Sequence, residues 1–539
     1  MITATRLAKH PSWIWLLLGA VATGTVLYVT RLGAGAGGDS TSYLMGAENL
    51  LLGNGFSRYS GGYEIRPITG FPPFYSLVLA SLGSLGISLQ DGARVLNAVL
   101  FGANVVLVCG MVHWLTGSVV APLLAGLLCL TRPILLELHS WIMSEPLFIF
   151  LSLAGICLLG LYLWRLDLRF LVMAAMLAGL ASLTRYVGVA LTAAGLLGIA
   201  LLGARAFRQR LRDSLIFGGL SLLPLFWWLA RNRSLGGTSV NRELGYHPLD
   251  PDLLRLFMAD LSSWLVPHQF PLPTIVRAVL ATAIVIGLLT GLLVPLRRRW
   301  LSWNRTRFEI LGPDGKKLAA VPWLLGVYCA GSLLLIWVNS TLLDAATTAA
   351  APVRYLAPVF VPTLILFTTI STYVLKASSI ARRSLLVVTG YALLLVGFYA
   401  YNSLPMVQDP LSRLGYTGRK LLWPELVAAL AALPIESPIA SNNPELIYVL
   451  LGRPAYARPI HYDPYQADYR DDYELQFAQL EDQLGRSGVF VVFDELESDD
   501  QEVIERLDLE LIEEFPTARI YGRPEGAGRG SISPSAQLR

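Results

Sequence analysis

Eleven stretches of this sequence contain no Asp, Glu, Lys or Arg, and they constrain the fold more than any other feature. They span residues 11–30, 67–90, 95–131, 146–164, 170–184, 186–204, 214–230, 278–296, 318–343, 355–375 and 384–408. A helix needs about 20 apolar residues to cross the ~30 Å hydrocarbon core of a bilayer. Charged residues make up only 15% of the chain, against roughly a quarter in soluble domains. The pattern predicts an α-helical polytopic membrane protein.

The distribution of Lys and Arg predicts the orientation of these helices. Basic residues cluster at Arg6 and Lys9, at Arg165 and Arg169, and within residues 205–212, 297–317 and 376–383. Cytoplasmic loops carry an excess of Lys and Arg, so an even number of crossings should separate any two clusters. We therefore expect about 11 transmembrane helices, a cytoplasmic N-terminus and an extracytoplasmic C-terminal region. The loop 297–317 is basic, and we expect it to contact anionic membrane lipids.

Two stretches do not fit one span each. Residues 95–131 would make a helix about 55 Å long at ~1.5 Å per residue, so we expect two spans there. Pro72 and Pro73 interrupt residues 67–90, which favours a re-entrant or interfacial helix on the outer face. In the alternative assignment, residues 67–90 cross the membrane and residues 95–131 form one helix. The number of crossings is then the same, and the later loops stay on the same sides of the membrane. We expect residues 11–30 to be a retained anchor, although Ala34-Gly35-Ala36 resembles a signal cleavage site.

The C-terminal quarter differs in composition from the rest. Residues 402–539 hold 23 of the 38 acidic residues and 12 of the 42 Lys and Arg, a balance of −11, which leaves +15 on the preceding residues. The net charge of +4 is therefore a cancellation, and it does not indicate a nucleic-acid partner. All four cysteines, Cys109, Cys129, Cys157 and Cys329, lie in apolar runs, so the C-terminal region has to fold without disulfides.

The predicted domains follow from this contrast. Residues 1–401 form the transmembrane domain, with a first outer loop over about 31–94 that contains interfacial helices. Residues 402–525 form a small extracytoplasmic α/β domain, and the Gly- and Ser-rich residues 526–539 form a disordered tail. Within the α/β domain the pattern predicts helices over 421–433, 444–451, 476–484 and 502–507, and strands over 438–441, 488–493 and 519–521.

Several polar side chains fall at the predicted outer ends of the helices. They are Asp39, Glu64, Arg66, His139, Glu145, Arg185, Arg231 and Arg354 with Tyr355. Ionisable groups at membrane depth are costly and usually face a cavity or a partner. Arg binds phosphate bidentately, and a carboxylate can accept the proton of a reacting hydroxyl. The set therefore suits a substrate that carries a phosphate and reacts with a hydroxyl.

Most of these residues also have a purely structural interpretation. Asp39 would serve as a helix N-cap, and Glu145 would favour the dipole at a helix start. Arg185 would snorkel or pair with a neighbouring acid, and Arg354 would anchor its helix at the interface beside Tyr355. Surface or loop positions are common for Glu48, Glu64 and His139.

The order of these motifs resembles that of GT-C membrane glycosyltransferases, in particular bacterial protein O-mannosyltransferases and aminoarabinose–lipid A transferases. The motifs are Gly38-Asp39-Ser40, Pro72-Pro73, Met143-Ser144-Glu145-Pro146-Leu147, Leu183-Thr184-Arg185, Trp228 with Arg231-Asn232, Arg354-Tyr355-Leu356 and Ser441-Asn442-Asn443-Pro444. The resemblance covers most of the chain. One departure lies before Pro72, where relatives often have an acid and a Lys and this sequence has Thr69-Gly70-Phe71.

The resemblance implies a sugar donor on a polyprenyl phosphate, used at the outer face of the bacterial cytoplasmic membrane. Asp39 would be the general base of an inverting attack, and Glu145 a second acid that assists the site or a metal. Arg185, Arg231 and Arg354 would hold the lipid phosphate. Further candidates for substrate binding are Tyr355, Glu64, Arg66 and His139. The acceptor, whether lipid, glycan or protein, and the sugar are not indicated.

Other functional classes remain open on the sequence alone. A transporter or lipid flippase would usually show inverted repeats, and we find none that is convincing. A membrane scaffold would leave Asp39 and Glu145 replaceable. No nucleotide-binding motif is present, which suits a lipid-linked donor. No His, Asp or Glu cluster has metal-ligand spacing, so the sequence does not show a metal site. A divalent ion stays an open alternative, and no other cofactor is indicated.

Overall fold

The computed structural model describes residues 12–59, 62, 64–203, 205–242, 244–246, 248, 251–267, 271–301, 320–343, 352–377, 381–463, 468–485 and 487–523. Arg6, Lys9, the predicted disordered tail and residues 302–317 of the predicted basic loop lie outside the described residues. Contacts divide the chain into two compact units. One comprises Met1–Ala34 and Thr69–Pro410, and the other comprises Gly35–Ile68 and Leu411–Arg539.

The described residues form helices and short strands. The helices are α1 (Ser12–Val29), α2 (Gly38–Leu51), α3 (Phe74–Gly83), α4 (Leu89–Thr116), α5 (Val120–Thr131), α6 (Pro133–Ser140), α7 (Glu145–Arg165), α8 (Leu168–Thr184), α9 (Val189–Leu202), α10 (Phe207–Gly236), α11 (Pro251–Ser263), α12 (Thr274–Leu301), α13 (Ala320–Leu342), α14 (Pro352–Ala377), α15 (Ala381–Gln408), α16 (Tyr416–Leu422), α17 (Pro424–Ala432), α18 (Pro444–Leu451), α19 (Tyr473–Leu484) and α20 (Ser498–Arg506). The strands are β1 (Ser57–Tyr59), β2 (Ile65–Pro67), β3 (Ile439–Ser441), β4 (Tyr456–Ala457), β5 (Tyr462–Asp463), β6 (Asp468–Tyr469), β7 (Val489–Phe493), β8 (Glu510–Phe515) and β9 (Ala518–Gly522).

The first unit is helical, and each charge-free stretch of the sequence contains a helix. In the described part of the chain, six helices are long and apolar enough to cross a bilayer: α4, α7, α10, α13, α14 and α15. The bent pair α5 and α6, with 59° between them, makes a seventh if it is one span. Five shorter apolar helical segments fall below that length: Trp13–Val29, Phe74–Gly83, Leu168–Thr184, Tyr186–Leu202 and Thr274–Gly287. The expected number of about 11 spans therefore stays a prediction.

Two local features explain how the ambiguous stretches fold. The ten-residue α3 begins directly after the Pro72-Pro73 pair. It is only about 15 Å long, which is too short to cross a bilayer. Gly117, with φ of +63°, ends α4, and α5 begins three residues later. Glycine is favoured in this left-handed conformation, so residues 95–131 divide into two helices at this point. The sequence analysis did not identify α11, which is amphipathic and contains charged residues.

Small residues allow the helices around the candidate site to pack closely. Gly179 of α8 lies against α10, where a Cβ atom at position 179 would stand 3.2 Å from the carbonyl oxygen of Leu220. Ala175 and Ala178 are also fully buried on α8. Membrane helices associate through such small residues because lipid supplies no hydrophobic force between them. The C-terminal part of α8 therefore packs closely against the middle of α10.

The second unit is built on a five-stranded sheet with the order β4-β3-β7-β9-β8. Strands β4, β3 and β7 are parallel, whereas β9 is antiparallel to β7 and β8. Every residue of β7 is buried, as expected for a strand covered on both faces. Val489 and Val491 pack with α17 and α18 on one face, and Phe490 and Val492 pack with α19 and α20 on the other.

Residues 35–68 belong to this second unit, although the sequence analysis placed them in an outer loop of the transmembrane domain. Two interactions account for the grouping. The backbone around Ala36 pairs with that around Gly415, and α2 packs against α18. The first helix of this loop, α2, starts at Gly38 and ends before Gly53.

Candidate active site

Two arginines converge on one buried carboxylate in the helical unit. Glu145 is the first residue of α7 and is fully buried. Its Oε1 atom accepts a hydrogen bond from Nε of Arg354 and lies 2.9 Å from Nη1 of Arg185. Arg185 follows the last residue of α8, and Arg354 is in the first turn of α14. The start of α7, the end of α8 and the start of α14 therefore lie at the same end of the helical bundle.

The local sequence explains how Glu145 and Arg185 are oriented. Pro146 follows Glu145, and proline fits the first turn of a helix, where a carboxylate also interacts favourably with the helix dipole. Arg185 has extended backbone angles, φ −149° and ψ 134°, because the chain turns there from α8 towards a short 3-10 helix, Tyr186–Gly188. Its Nη1 atom also donates to Oγ of Ser144, at 3.3 Å.

The three side chains Glu145, Arg185 and Arg354 together carry two positive charges and one negative charge. The arginine side chains are 13% and 17% exposed, so the guanidinium groups are close to the surface while the carboxylate is not. Both guanidinium carbons lie near the ring of Tyr355, at 5.8 Å and 5.9 Å from its centroid, within range of a cation–π interaction. The other carboxylate oxygen, Oε2, has no hydrogen-bond partner among the described residues. This arrangement suits an anionic ligand at the arginines.

Arg231 lies in a neighbouring group of side chains. It is on α10, with its guanidinium 4.7 Å from the ring centroid of Trp228. The indole Nε1 of Trp228 donates to the hydroxyl of Tyr186 at 3.2 Å. Since Tyr186 directly follows Arg185 in the chain, the backbone connects this group to the Glu145 cluster.

The sequence analysis did not assign a role to Asn232. It is fully buried, and its amide donates to the carbonyl oxygens of Thr69 and Ser239, both at 3.1 Å. It also accepts from Nη1 of Arg231 at 3.0 Å. Asn232 therefore ties the loop before Pro72 to α10. The motif Arg231-Asn232 was the sequence feature that could have pointed to Asn232. Its role depends on its burial, which a sequence does not show.

His139 is engaged entirely by protein atoms. It is buried on α6, and its Nδ1 lies 2.6 Å from the carbonyl oxygen of Leu135. Its Nε2 lies 3.2 Å from the amide nitrogen of Asn104, and its ring centroid is 4.4 Å from that of Phe101. A neutral tautomer with the proton on Nδ1 satisfies both contacts. This geometry favours a structural role for His139 over the predicted contact with substrate.

In the second unit, Asp39 lies in the first turn of α2 and is partly exposed. The structural interpretation as an N-cap is wrong, because Gly37 occupies that position with extended backbone. Glu64 and Arg66 pair with each other at 2.7 Å and are 58% and 61% exposed. The hydrogen bond from Arg66 lowers the pKa of Glu64 below its usual value. Such exposed pairs contribute little to stability.

The residues present do not fit a metal ion at Glu145. Within the described ranges, no group of three or more His, Cys, Asp or Glu side chains could hold one. The carboxylate also lies between two guanidinium groups, which would repel a cation. No step of the proposed reaction is therefore assigned to a metal.

A large apolar groove opens among α5, α11, α12, α14 and α15. Its volume is about 740 Å³. On α14 it extends from Phe360 to Lys376, and the first turn of this helix carries Arg354. Among the described residues that line the groove, Lys376 is the one charged side chain, and such a wall suits a hydrocarbon chain.

No protein-family model and no curated protein matches this sequence. Solved structures do match. ArnT from Cupriavidus metallidurans bound to undecaprenyl phosphate aligns with a TM-score of 0.56 at 13% identity, over 95% of this chain and 98% of ArnT. In the apo state the TM-score is 0.57 at 13% identity, over 94% and 97%. The chain has the GT-C fold.

The GT-C fold confirms the resemblance that the sequence motifs indicated. At 13% identity the alignment establishes the architecture and assigns no role to any single side chain. The roles of the GT-C site residues in this chain follow from their own geometry and are proposals.

Proposed function

We propose that this chain transfers a sugar from a polyprenyl-phosphate-linked donor to an acceptor hydroxyl at the outer face of the bacterial cytoplasmic membrane. The observation that carries the proposal is the convergence of Arg185 and Arg354 on the buried Glu145. Guanidinium groups bind phosphate oxygens through charge-assisted, often paired hydrogen bonds. Glu145 keeps the two like charges close together, so a phosphate can contact both.

The proposed reaction is a single displacement. The acceptor oxygen forms a bond to the anomeric carbon as the carboxylate of Asp39 takes the hydroxyl proton. The bond from the anomeric carbon to the phosphate oxygen breaks, and its electron pair leaves with the polyprenyl phosphate. Negative charge grows on that phosphate in the transition state, where fixed arginine donors stabilise it more than in the ground state.

The apolar groove supports a lipid-linked donor. A polyprenyl chain gains about 0.8 kcal/mol for each CH₂ group that it removes from water, so the groove needs no polar contacts to hold it. The groove and Arg354 share α14, which suits one ligand with an apolar tail and a phosphate head. ArnT, on the same fold, binds undecaprenyl phosphate, and we infer the same class of carrier lipid here.

Substituting Arg354 by Lys is expected to weaken binding of undecaprenyl phosphate about tenfold, because tenfold corresponds to ~1.4 kcal/mol, near the lower limit for one hydrogen bond to a charged group. Lysine keeps the charge but cannot form the guanidinium fork. Titration of the purified protein in detergent, read by native mass spectrometry, measures the affinity. The matched control is Arg255→Lys, because Arg255 is 77% exposed and pairs only with Asp252 among the described residues. Equal affinity in Arg354→Lys and wild type would reject the phosphate role.

Filling the groove should affect only long-chain lipids. Thr368 lies on the groove wall, and Thr368→Trp is expected to weaken binding of undecaprenyl phosphate while a two-isoprene phosphate binds as before. The control Leu334→Trp introduces the same side chain at a position on α13 that is 56% exposed. Equal weakening for both chain lengths would argue against the groove as the site of the lipid tail.

The activity itself is tested without knowing the sugar or acceptor, because every such transfer releases polyprenyl phosphate. Purified protein is incubated with hexosyl and pentosyl undecaprenyl phosphates and a cell-envelope extract, and the released lipid phosphate is measured by mass spectrometry. A transporter or flippase would bind these lipids and release none. A scaffold would neither bind nor release them.

A further inference from the structure

The helix that carries Asp39 is bound into the C-terminal sheet domain through its backbone. Just before α2, the amide of Ala36 donates to the carbonyl oxygen of Leu414 at 3.2 Å, and the amide of Tyr416 donates to the carbonyl oxygen of Ala36 at 2.9 Å. Residue 36 therefore pairs with the chain at the start of α16. These two bonds fix where α2 begins.

A side-chain hydrogen bond holds the other end of α2. The hydroxyl of Tyr448, on α18, donates to Oε2 of Glu48 at 2.5 Å. Glu48 follows Asp39 by nine residues, which at ~100° per residue places the two on opposite faces of α2, about 14 Å apart along its axis. Burial and the Glu48 carboxylate raise the pKa of Tyr448 well above its usual value, so its hydroxyl stays a neutral donor.

The segment that contains Ala36 and α2 is held near the carboxyl ends of strands β3 and β7. Open α/β sheets usually bind their ligands at this position. Strands β3 and β7 are parallel neighbours, and the helices that follow them, α18 and α20, pack on opposite faces of the sheet. Such a topological switch point leaves a crevice at the carboxyl ends of the strands. Here α16 reaches that end, because Nη1 of Arg419 donates to Oδ2 of Asp494, directly after β7, at 3.0 Å.

We propose that Tyr448 is a positioning residue, which acts through Glu48 to fix the orientation of α2 and hence the Asp39 carboxylate. The C-terminal domain then contributes to catalysis by orienting α2. It holds this helix at the position where other open α/β sheets hold a ligand. This inference rests on the proposed function, since the orientation of Asp39 affects the rate only if Asp39 is the base. Displacing a catalytic group by ~1 Å can slow a reaction by up to ~100-fold.

The test is the Tyr448→Phe variant, which removes the hydroxyl alone. We expect the rate of polyprenyl phosphate release at saturating donor to fall about tenfold, with the affinity for undecaprenyl phosphate unchanged. Hydrogen exchange should speed up at the amides of α2 and stay the same in α7 and α8. The control is Tyr469→Phe, because Tyr469 is 76% exposed in the same unit. A wild-type release rate in Tyr448→Phe would overturn the proposal.

Variants of Glu48 approach the same bond from its other side. Glu48→Gln retains an oxygen acceptor for the Tyr448 hydroxyl and should restore most of the rate that Glu48→Ala loses. The double variant Tyr448→Phe/Glu48→Ala should be no slower than either single variant. Losses that multiply in the double variant, or a Glu48→Gln variant as slow as Glu48→Ala, would contradict positioning through this bond.

The Asp39→Asn background separates this inference from the function on which it rests. If Asp39→Asn is slowed by about 10²- to 10⁴-fold and Tyr448→Phe does not lower its residual rate further, Tyr448 acts through Asp39. If Asp39→Asn is slowed to this extent and Tyr448→Phe alone has the wild-type rate, only the positioning role fails. If Asp39→Asn itself keeps the wild-type rate, the general-base assignment fails, and the positioning role fails with it.

Discussion

Replacing Asp39 by Asn is expected to lower the rate of polyprenyl phosphate release by about 10²- to 10⁴-fold, the usual contribution of a general base. The amide has nearly the same shape as the carboxylate, and it does not accept the proton of the acceptor hydroxyl. Asn in the first turn also leaves Gly37 as the N-cap of α2. The release assay at saturating donor measures this loss.

The affinity of Asp39→Asn for undecaprenyl phosphate should equal that of the wild type, because the arginines and not Asp39 are proposed to bind the phosphate. Asp482→Asn is the matched control, since Asp482 is an exposed acid on α19 in the same unit. An Asp39→Asn variant that is well folded, binds the lipid and releases it at the wild-type rate would exclude Asp39 as the base.

Replacing Glu145 by Ala is expected to destabilise the helical unit by about 3–5 kcal/mol, the cost of removing one partner from a buried ion pair. Arg185 and Arg354 are 13% and 17% exposed, and without the carboxylate their like charges would repel each other. The ends of α7, α8 and α14 would lose the contact that joins them. The midpoint of thermal unfolding in detergent should fall by several degrees.

Two further variants show whether that loss comes from charge or from packing. Glu145→Gln keeps a hydrogen-bond acceptor without the charge, so its stability should lie between those of wild type and Glu145→Ala. Glu64→Ala removes an acid that also pairs with Arg, but this pair is exposed and should contribute close to nothing. If Glu145→Ala unfolds at the wild-type temperature, the carboxylate does not balance the two arginines.

The helices of the first unit follow largely from the sequence. Helix formation inside a bilayer is local, since the backbone satisfies its own hydrogen bonds within one segment and any apolar run of adequate length is helical. Each charge-free stretch accordingly contains a helix. The strand β7 was predicted over 488–493 and found at Val489–Phe493, because a five-residue apolar run between polar segments is typical of a buried strand.

The candidate site could be predicted only as a set of residue types near helix ends. One interpretation paired Arg185 with a neighbouring acid, but the sequence did not show that this acid is Glu145. Arg354 is 209 positions away from Glu145, and no periodicity or spacing relates them. The sequence offered both His139 and Glu145 as candidates for the site. Burial and hydrogen bonding distinguish them, since both nitrogens of His139 contact protein atoms.

The sequence by itself determined which segments are helices in an apolar environment, where the charge lies, and, through the order of its motifs, the GT-C fold. The tertiary structure decided which distant side chains meet. It placed two arginines on one carboxylate, and it grouped the residues around Asp39 with the C-terminal sheet. The physical reason is that local patterns report hydrogen bonding and hydrophobicity within a segment, whereas these contacts depend on how separate segments pack.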